Sequence, residues 1–215
     1  MKQETLLKIV GLMRKDLNNG FTILEISRKL KIGYRPAYMH ISGMEGEGII
    51  KIKRAGMAKQ CFLDIGNAKC RRLLEDVDMV AKDVITAKNP RLKSVLDGIV
   101  SKIGEIFASD LHSVVLFGSY AKMNAVKASD VDLLFIVADM KKENVRAGIE
   151  RECASYQYSH KLTVSPLISD VVEFKKMLNS NEINVGKEIK EYGIPLYGSE
   201  MFWRIIGKIE EVLST

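Results

Sequence analysis

Hydrophobic and polar residues change their spacing along the chain, and each change predicts a different element. Apolar residues first recur every three or four positions and then give way to an alternating segment, IIKIKRAGMAKQCFLDI at 49–65. Helical spacing returns after residue 67 and is interrupted at Asn89-Pro90, because a residue before proline avoids helical angles. The predicted elements are helices at 3–17, 24–30 and 34–48, a hairpin turning at Gly56, and helices at 68–87 and 90–108.

From residue 109 onward, short apolar runs alternate with amphipathic segments. The runs at 114–117 and 131–137 are too apolar for exposure on either face, which predicts two buried strands. The other predicted elements are a strand at 161–168, helices at 141–158, after Ser169, at 181–194 and at 201–214, and a turn at 195–198. The last helix carries an apolar stripe, so it packs on its own domain or on a second copy of the chain, with Trp203 as a packing anchor.

The composition is that of a globular protein. The 215 residues are 47% hydrophobic and 28% charged. The first helix mixes acids and bases and no apolar run reaches membrane-spanning length, so we expect a cytoplasmic protein with no membrane partner. No metal-ligand spacing is found among the three histidines or among the cysteines, Cys61, Cys70 and Cys153. This scattered arrangement argues against a zinc site.

The positive charge is concentrated in the first third of the chain. Residues 1–65 hold 12 Lys/Arg against 6 Asp/Glu, whereas residues 66–215 hold 21 of each. A basic module joined to a neutral one is typical of nucleic-acid binding. The alternative is that these lysines only solvate the surface.

Three short helices followed by a basic hairpin resemble a winged helix-turn-helix, over about the first 66 residues. This resemblance implies that the third helix enters the major groove of double-stranded DNA while the hairpin lies on phosphates. Such domains also serve in dimerisation or protein docking, and Glu45 and Glu47 would repel phosphate. The implied DNA-binding residues are Tyr34, Arg35, Tyr38 and His40 on the helix, with Met39 beside them, and Lys51, Lys53, Arg54 and Lys59 on the hairpin.

The segment LFGSYAKMNAVKASDVDLLFIV at 116–137 carries the candidate chemistry. Gly118-Ser119 ends an apolar strand and precedes a short helix, a natural seat for phosphate. Asp130 and Asp132 lie on one face at the start of the next strand, because strand side chains alternate. Two such carboxylates repel each other, so they need a cation, a proton or open water beside them. Of the cations, Mg²⁺ takes one or two carboxylates together with substrate phosphates.

These residues resemble the pattern GSxAxGxxxxxSDxD of the nucleotidyltransferase superfamily of DNA polymerase beta, especially its small prokaryotic members. The resemblance covers residues 109–200, and the fusion to a winged helix is similar to prokaryotic, often archaeal, members. It implies an α+β fold in which a small mixed β-sheet is flanked by helices. It further implies that Asp130 and Asp132 are catalytic and hold Mg²⁺, one or two ions, and that a nucleoside triphosphate, ATP by preference, is bound by Gly118 and Ser119, with Ser129 beside them. Lys122 would add a point charge to the triphosphate, and the alternative is a solvated lysine on a short exposed helix.

The chain departs from this pattern at two places. Met123 stands where the pattern has its second glycine. The strand at 161–168 has Thr163 or Ser165 where the family carries a third carboxylate. Asp170 and Glu173 follow that strand, but there they suit the first turn of a helix capped by Ser169.

Three functions follow from these features. The first is an Mg²⁺-dependent nucleotidyltransferase acting on an unidentified acceptor. The second is a DNA-binding regulator whose second domain senses a nucleotide, and the third is an antitoxin of a toxin–antitoxin pair. We expect a winged helix at 1–66, a helical connector at 67–108 and a nucleotidyltransferase domain at 109–215.

Overall fold

The structure is a computed structural model that describes residues 3–55, 58–87 and 89–213. The predicted turn at Gly56 lies outside these ranges. The chain forms two compact units, Met1–Val77 with Ile206–Thr215, and Asp78–Ile205. The division falls within a helix, and the domain boundaries at 66 and 108 stay a prediction.

The first unit combines helices with a small antiparallel sheet. Strand β3 lies between β1 and β2 in that sheet. The apolar positions predicted to face inward on the third helix, Ala37, Ile41 and Met44, are fully buried. The elements are α1 (Gln3–Met13), a 3-10 turn (Arg14–Asp16), β1 (Phe21–Thr22), α2 (Ile23–Leu30), α3 (Tyr34–Gly46), β2 (Ile50–Ala55), β3 (Ala58–Leu63) and α4 (Ala68–Thr86), which continues into the second unit.

Helix α2 begins at a capping box. The Thr22 hydroxyl accepts a hydrogen bond from the Glu25 backbone N–H at 3.2 Å, and the Glu25 carboxylate accepts one from the Thr22 backbone N–H at 2.7 Å. The hydrogen bond from the Thr22 backbone, followed by that from its hydroxyl, lowers the pKa of Glu25. Because these bonds satisfy amides that have no partner within the helix, α2 begins at Ile23.

The second unit is built around a mixed four-stranded sheet flanked by helices, as the sequence predicts. The strand order is β6-β5-β4-β7, with β5 parallel to β6 and the other pairs antiparallel. Its elements are α5 (Pro90–Ile106), β4 (Leu111–Phe117), α6 (Gly118–Ala121), β5 (Val131–Val137), α7 (Glu143–His160), β6 (Val164–Asp170), α8 (Val171–Asn179), α9 (Val185–Tyr192), β7 (Ile194–Tyr197) and α10 (Ser199–Leu213).

The turn predicted at 195–198 is wrong, because residues up to Tyr197 form strand β7. Pro195 lies opposite Val115 of β4. Proline lacks the N–H that a central strand needs, but β7 is an edge strand with one free side. Only Gly198, with φ +62°, turns the chain into α10.

The central strands hold the core of this unit. The apolar residues of β5, Val131 and Leu133 to Val137, are fully buried, which agrees with the prediction of a strand covered on both faces. Helices α5 and α7 approach closely through glycines, since a Cβ at Gly98 would meet the Tyr156 hydroxyl and one at Gly148 would collide with the Phe107 ring. This framework fixes the ends of β4 and β5.

Trp203 is fully buried and packs edge to face against Phe202, with ring centroids 5.0 Å apart, as expected of a packing anchor. Its indole N–H donates to the carboxylate of Asp78 at 2.7 Å, and the Ser199 hydroxyl donates to the same oxygen at 3.1 Å. Asp78 is 1% exposed, so these donors offset the loss of water around its charge. Along the described ranges, none of the helices combines the length and apolar character needed to cross a membrane.

Candidate functional site

The turn between β4 and α6 is shaped by Gly118. This residue has φ +69°, a backbone conformation that side chains disfavour. A Cβ at position 118 would also collide with the carboxylate of Asp132, so only glycine permits the contact between this turn and the acid. The structure therefore brings together the two halves of the motif, which are separated by thirteen residues of sequence.

The two aspartates lie at the start of β5. Asp130 is exposed and immediately precedes the strand, while Asp132 is half-buried within it, opposite Phe117 of β4 and Ser165 of β6. Burial raises the pKa of Asp132, and the charges of Asp130 and of Glu188 raise it further. Negative charge is thus concentrated where the sequence predicts a cation.

Helix α6 ends in a pattern of hydrogen bonds that normally uses glycine. The Asn124 N–H bonds to the Ser119 carbonyl at 3.0 Å and the Met123 N–H to the Tyr120 carbonyl at 3.1 Å, with Met123 at φ +58°. Met123 therefore adopts the backbone conformation that the pattern's second glycine suits. The substitution noted in the sequence costs strain but leaves the turn intact.

We expect Met123→Gly to stabilise the second unit by up to about 1 kcal/mol, since it removes a Cβ from a left-handed residue. Asn124→Gly is the matched control, because Asn124 does not have positive φ and glycine there only adds freedom to the unfolded chain. Thermal unfolding of both variants measures the difference. A loss of stability in Met123→Gly equal to that in Asn124→Gly would contradict this account.

Ser129 closes the loop that leads to the acids. Its hydroxyl accepts a hydrogen bond from the Val126 N–H at 2.9 Å, and its own N–H donates to the Val126 carbonyl at 2.9 Å. These bonds hold the chain just before Asp130. Ser119 follows Gly118 within α6 and is half-buried. Nucleotide contact by Ser119 and Ser129 stays a prediction.

Lys122 interacts with side chains of α9. Nothing in the sequence indicated that this helix lies near the site. Its ammonium lies 2.8 Å from a carboxylate oxygen of Glu188 and 5.4 Å from the centroid of the Tyr192 ring. The side chains of Lys122 and Glu188 are each 33% exposed. Glu188 lies 66 positions along the chain from Lys122 and belongs to no motif, so only the tertiary structure identifies it.

Strand β6 brings no carboxylate to Asp132. Ser165 is the residue opposite it. Asp170 is the N-cap of α8 and accepts a hydrogen bond from the Glu173 N–H at 2.8 Å, as expected for a capping acid. The prediction that Ser169 is the cap is wrong by one residue, because β6 continues to Asp170 and buries Ser169 completely.

Asp130 and Asp132 offer carboxylate oxygens as possible metal ligands. Within the described ranges, no three His, Cys, Asp or Glu side chains gather into a group that could hold a metal. The two carboxylates at Asp130 and Asp132 fit Mg²⁺ when a substrate's phosphate oxygens complete its shell.

The cysteines are buried free thiols, and burial raises the pKa of Cys61 to about 11 and of Cys153 to about 12, which makes them poor nucleophiles and ligands.

The predicted DNA-binding residues of α3 are largely accessible. Tyr34, Arg35 and Tyr38 are exposed, as is Met39 beside them. His40 is half-buried, and its Nδ1 is among the buried side-chain atoms without a hydrogen-bond partner in the part of the chain that the structure describes.

The basic residues of the hairpin divide between its two faces. Lys51 and Lys53 lie opposite Phe62 and Gln60, whereas Arg54 lies opposite Lys59 on the other face. Lys51 pairs with Asp64 at 3.0 Å, and the Lys53 ammonium lies 5.5 Å from the Phe62 ring centroid. All four side chains are exposed.

Comparisons with known proteins place the site in a wider context. Residues 101–201 match the family described as "Polymerase beta, Nucleotidyltransferase". Two proteins of Methanocaldococcus jannaschii, each named "Putative protein adenylyltransferase", are similar to this chain. One is 37% identical over 79 residues, covering 36% of this chain and 54% of its own length, and the other is 30% identical over 92 residues, covering 43% and 85%.

The chain thus spans about half the length of the first of these relatives. Among solved structures, the "Crystal structure of the toxin-antitoxin with AMP-PNP" aligns with 54% of this chain and 86% of its own, at 16% identity and a TM-score of 0.38. A likeness of that size supports no inference about function.

Proposed function

This chain belongs to the polymerase beta nucleotidyltransferase family, and on that premise we propose that it transfers AMP from ATP to a hydroxyl group of a protein. ATP and a protein acceptor are suggested by the names of its relatives. The observation that carries the proposal is the contact between Gly118 and Asp132, which sets a turn suited to phosphate against a pair of carboxylates.

In the proposed reaction, the chain mainly positions charges. Backbone amides of the Gly118-Ser119 turn would bind the triphosphate, and Asp130 and Asp132 would hold Mg²⁺ against it. When bound, Mg²⁺ neutralises the charge on the leaving pyrophosphate and polarises the α-phosphate. Transfer of a phosphoryl-type group requires little more from a protein than this alignment and compensation of charge.

The acceptor is proposed to be a protein partly because of the loop between α6 and β5. Met123 and Val126 are 63% and 69% exposed, three residues apart, and lie between the phosphate turn and Asp130. Apolar side chains beside a phosphate-transfer site suit contact with another protein better than contact with a small polar acceptor.

Pyrophosphate release tests the proposal without knowledge of the acceptor, since each transfer liberates one pyrophosphate. The purified chain is incubated with [α-³²P]ATP and Mg²⁺, with and without a dialysed, heat-treated protein extract. We expect pyrophosphate release that requires Mg²⁺, together with label on protein. Nucleotide binding without any pyrophosphate would instead favour the regulator, a reading that the absence of an acid at Ser165 supports.

We further propose that the first unit is a winged helix that binds double-stranded DNA. The support is its net charge of +6 over residues 1–65, together with an exposed α3 followed by an exposed basic hairpin. In this arrangement α3 would lie in the major groove, and Arg54 and Lys59, which share one face of the hairpin, would contact phosphates.

We expect Arg54→Ala/Lys59→Ala to weaken binding to duplexes of any sequence and to reduce the slope of log K against log salt by about 0.9 for each lost phosphate contact. Fluorescence anisotropy across a salt series measures both quantities. Lys8→Ala is the control, because Lys8 is an exposed base on α1 that pairs with Glu4 at 2.6 Å. Equal effects of the two changes would show only the loss of net charge and would contradict the proposed wing contact.

A further inference from the structure

Helix α9 is held firmly against the rest of its unit. Asn184 caps it by accepting a hydrogen bond from the Lys187 N–H at 3.1 Å, and its side-chain amide donates to the Met177 carbonyl at 2.8 Å. At the far end, a Cβ on Gly193 would lie 2.9 Å from the Val115 side chain of β4, so no larger residue fits there. Glu188 is therefore carried on a helix whose position relative to β4 is closely defined.

The carboxylate of Glu188 faces the candidate site. Its partner, Lys122, caps α6, the helix that starts at Gly118, and the two charges are 2.8 Å apart. Burial, then the charge of Asp130 and then that of Glu188, raises the pKa of Asp132, so Glu188 lies close enough to act on this carboxylate. Glu188 thus brings a third carboxylate to the neighbourhood of Asp132, and Lys122 is its counterion.

The transfer chemistry needs a group of this kind. An attacking hydroxyl must lose its proton, and a carboxylate within reach is a suitable acceptor. Asp130 and Asp132 would bind Mg²⁺, and a carboxylate bound to a metal ion is a weak base because the positive charge disfavours its protonation. Opposite Asp132 on β6 there is only Ser165. Glu188 lies near these residues and does not belong to the pair that would hold the metal.

We propose that Glu188 is the general base of the transfer, and that its ion pair with Lys122 keeps it inactive until a triphosphate draws Lys122 away. This inference rests on the proposed nucleotidyltransferase function. The O–H bond of the acceptor breaks and its proton passes to the Glu188 carboxylate. The freed oxygen bonds to the α-phosphorus, the bond from that phosphorus to the bridging oxygen breaks, and pyrophosphate leaves with the electron pair.

The exchange of partners by Lys122 follows from charge. A triphosphate presents several negative charges to the ammonium, whereas Glu188 presents one. The Lys122 side chain is one-third exposed, so it has room to move from one partner to the other. The bound nucleotide would then free the base in the same step that fills the site, which limits proton abstraction to the loaded enzyme.

Two variants test this assignment by moving rate and affinity in different ways. Glu188→Gln keeps the size of the side chain but cannot take up the proton, so we expect pyrophosphate release to fall about 100-fold or more while ATP binding is unchanged or tighter. Lys122→Met removes the phosphate contact, so we expect ATP binding to weaken. Glu188→Asp should restore part of the rate. Glu182→Gln, an exposed acid in the loop before α9, is the control and should behave as wild type.

The measurements are pyrophosphate release at saturating Mg²⁺ and ATP, and ATP affinity by calorimetry. The assignment of Glu188 would be overturned by a Glu188→Gln rate within about threefold of wild type. It would also be overturned by a loss of rate matched by an equal loss of ATP affinity. Either result would leave the proposed function standing. No pyrophosphate from the wild type, with the same result for Asp130→Asn/Asp132→Asn, would overturn the proposed function and this inference together.

Discussion

Replacing Asp132 with Asn is expected to lower pyrophosphate release about a thousandfold. An amide keeps the shape of the side chain but loses the charge that would hold Mg²⁺ beside the triphosphate. Stabilisation of transition-state charge by a metal is worth several kcal/mol, and each 1.36 kcal/mol corresponds to a factor of ten in rate. The same loss is expected for Asp130→Asn, and the double variant should be no worse than either single one, because both acids serve one metal site.

The same change is expected to stabilise the fold in metal-free buffer. Burial, then the charges of Asp130 and Glu188, raises the pKa of Asp132, so the folded state binds that proton more tightly than the unfolded chain does. The ionised form therefore destabilises the fold above the folded-state pKa, and this penalty disappears as the pH falls below the ordinary Asp value. At pH 7 an uncharged Asn avoids the penalty altogether.

Thermal unfolding in EDTA at pH 7 and at low pH measures this effect. We expect a higher midpoint for Asp132→Asn than for wild type at pH 7, and a smaller difference at low pH. Asp83→Asn, which alters an exposed acid on α4 in the same unit, is the control and should change the midpoint little. An Asp132→Asn variant that stayed active, or that unfolded at a lower temperature at pH 7, would contradict the role assigned to this carboxylate.

Gly118→Ala is expected to remove most of the activity as well. The methyl group would occupy a left-handed residue with φ +69° and collide with the Asp132 carboxylate, so the turn and the acid must move apart. A displacement of about 1 Å at a site that works by alignment can lower the rate on the order of 100-fold. The backbone strain should also cost roughly 1–2 kcal/mol of stability.

Gly104→Ala provides the matched comparison. Gly104 lies within α5 of the same unit, and a Cβ there would meet only the Tyr197 ring at 3.7 Å, an ordinary contact. Alanine in a helix is favoured over glycine by roughly 0.5–1 kcal/mol, so this variant should be at least as stable as wild type and fully active. If Gly118→Ala behaved like Gly104→Ala, the close packing of the turn against Asp132 would not matter for function.

Much of the site could be predicted because its signals are local. The glycine that ends an apolar strand and the acids that open the next lie within fifteen residues, and each obeys a rule of backbone geometry or charge. The buried strands β4 and β5 could also be predicted, since a short apolar run without alternation fits a strand covered on both faces. The mixed sheet that follows from the family resemblance is present.

Two predictions failed where pairing, and not local preference, decides the structure. Residues 194–197 contain Pro195 and are typical of a turn, yet they form an edge strand because β4 offers them a partner. Ser169 has the chemistry of a helix cap, yet pairing with β5 extends β6 through Asp170 and shifts the cap by one residue. In both cases a sheet neighbour distant in sequence supplied hydrogen bonds that local preference did not anticipate.

The order of residues was sufficient to mark the glycine turn and the paired acids, because a glycine that ends an apolar strand and acids that open the next are visible in a short stretch of sequence. It could not connect Lys122 with Glu188, since their attraction depends on two helices that meet only after the sheet has formed. Tertiary packing sets the distances on which electrostatic interactions depend. It therefore decides which acid serves as a base, which lysine has a counterion and which strand lacks a carboxylate.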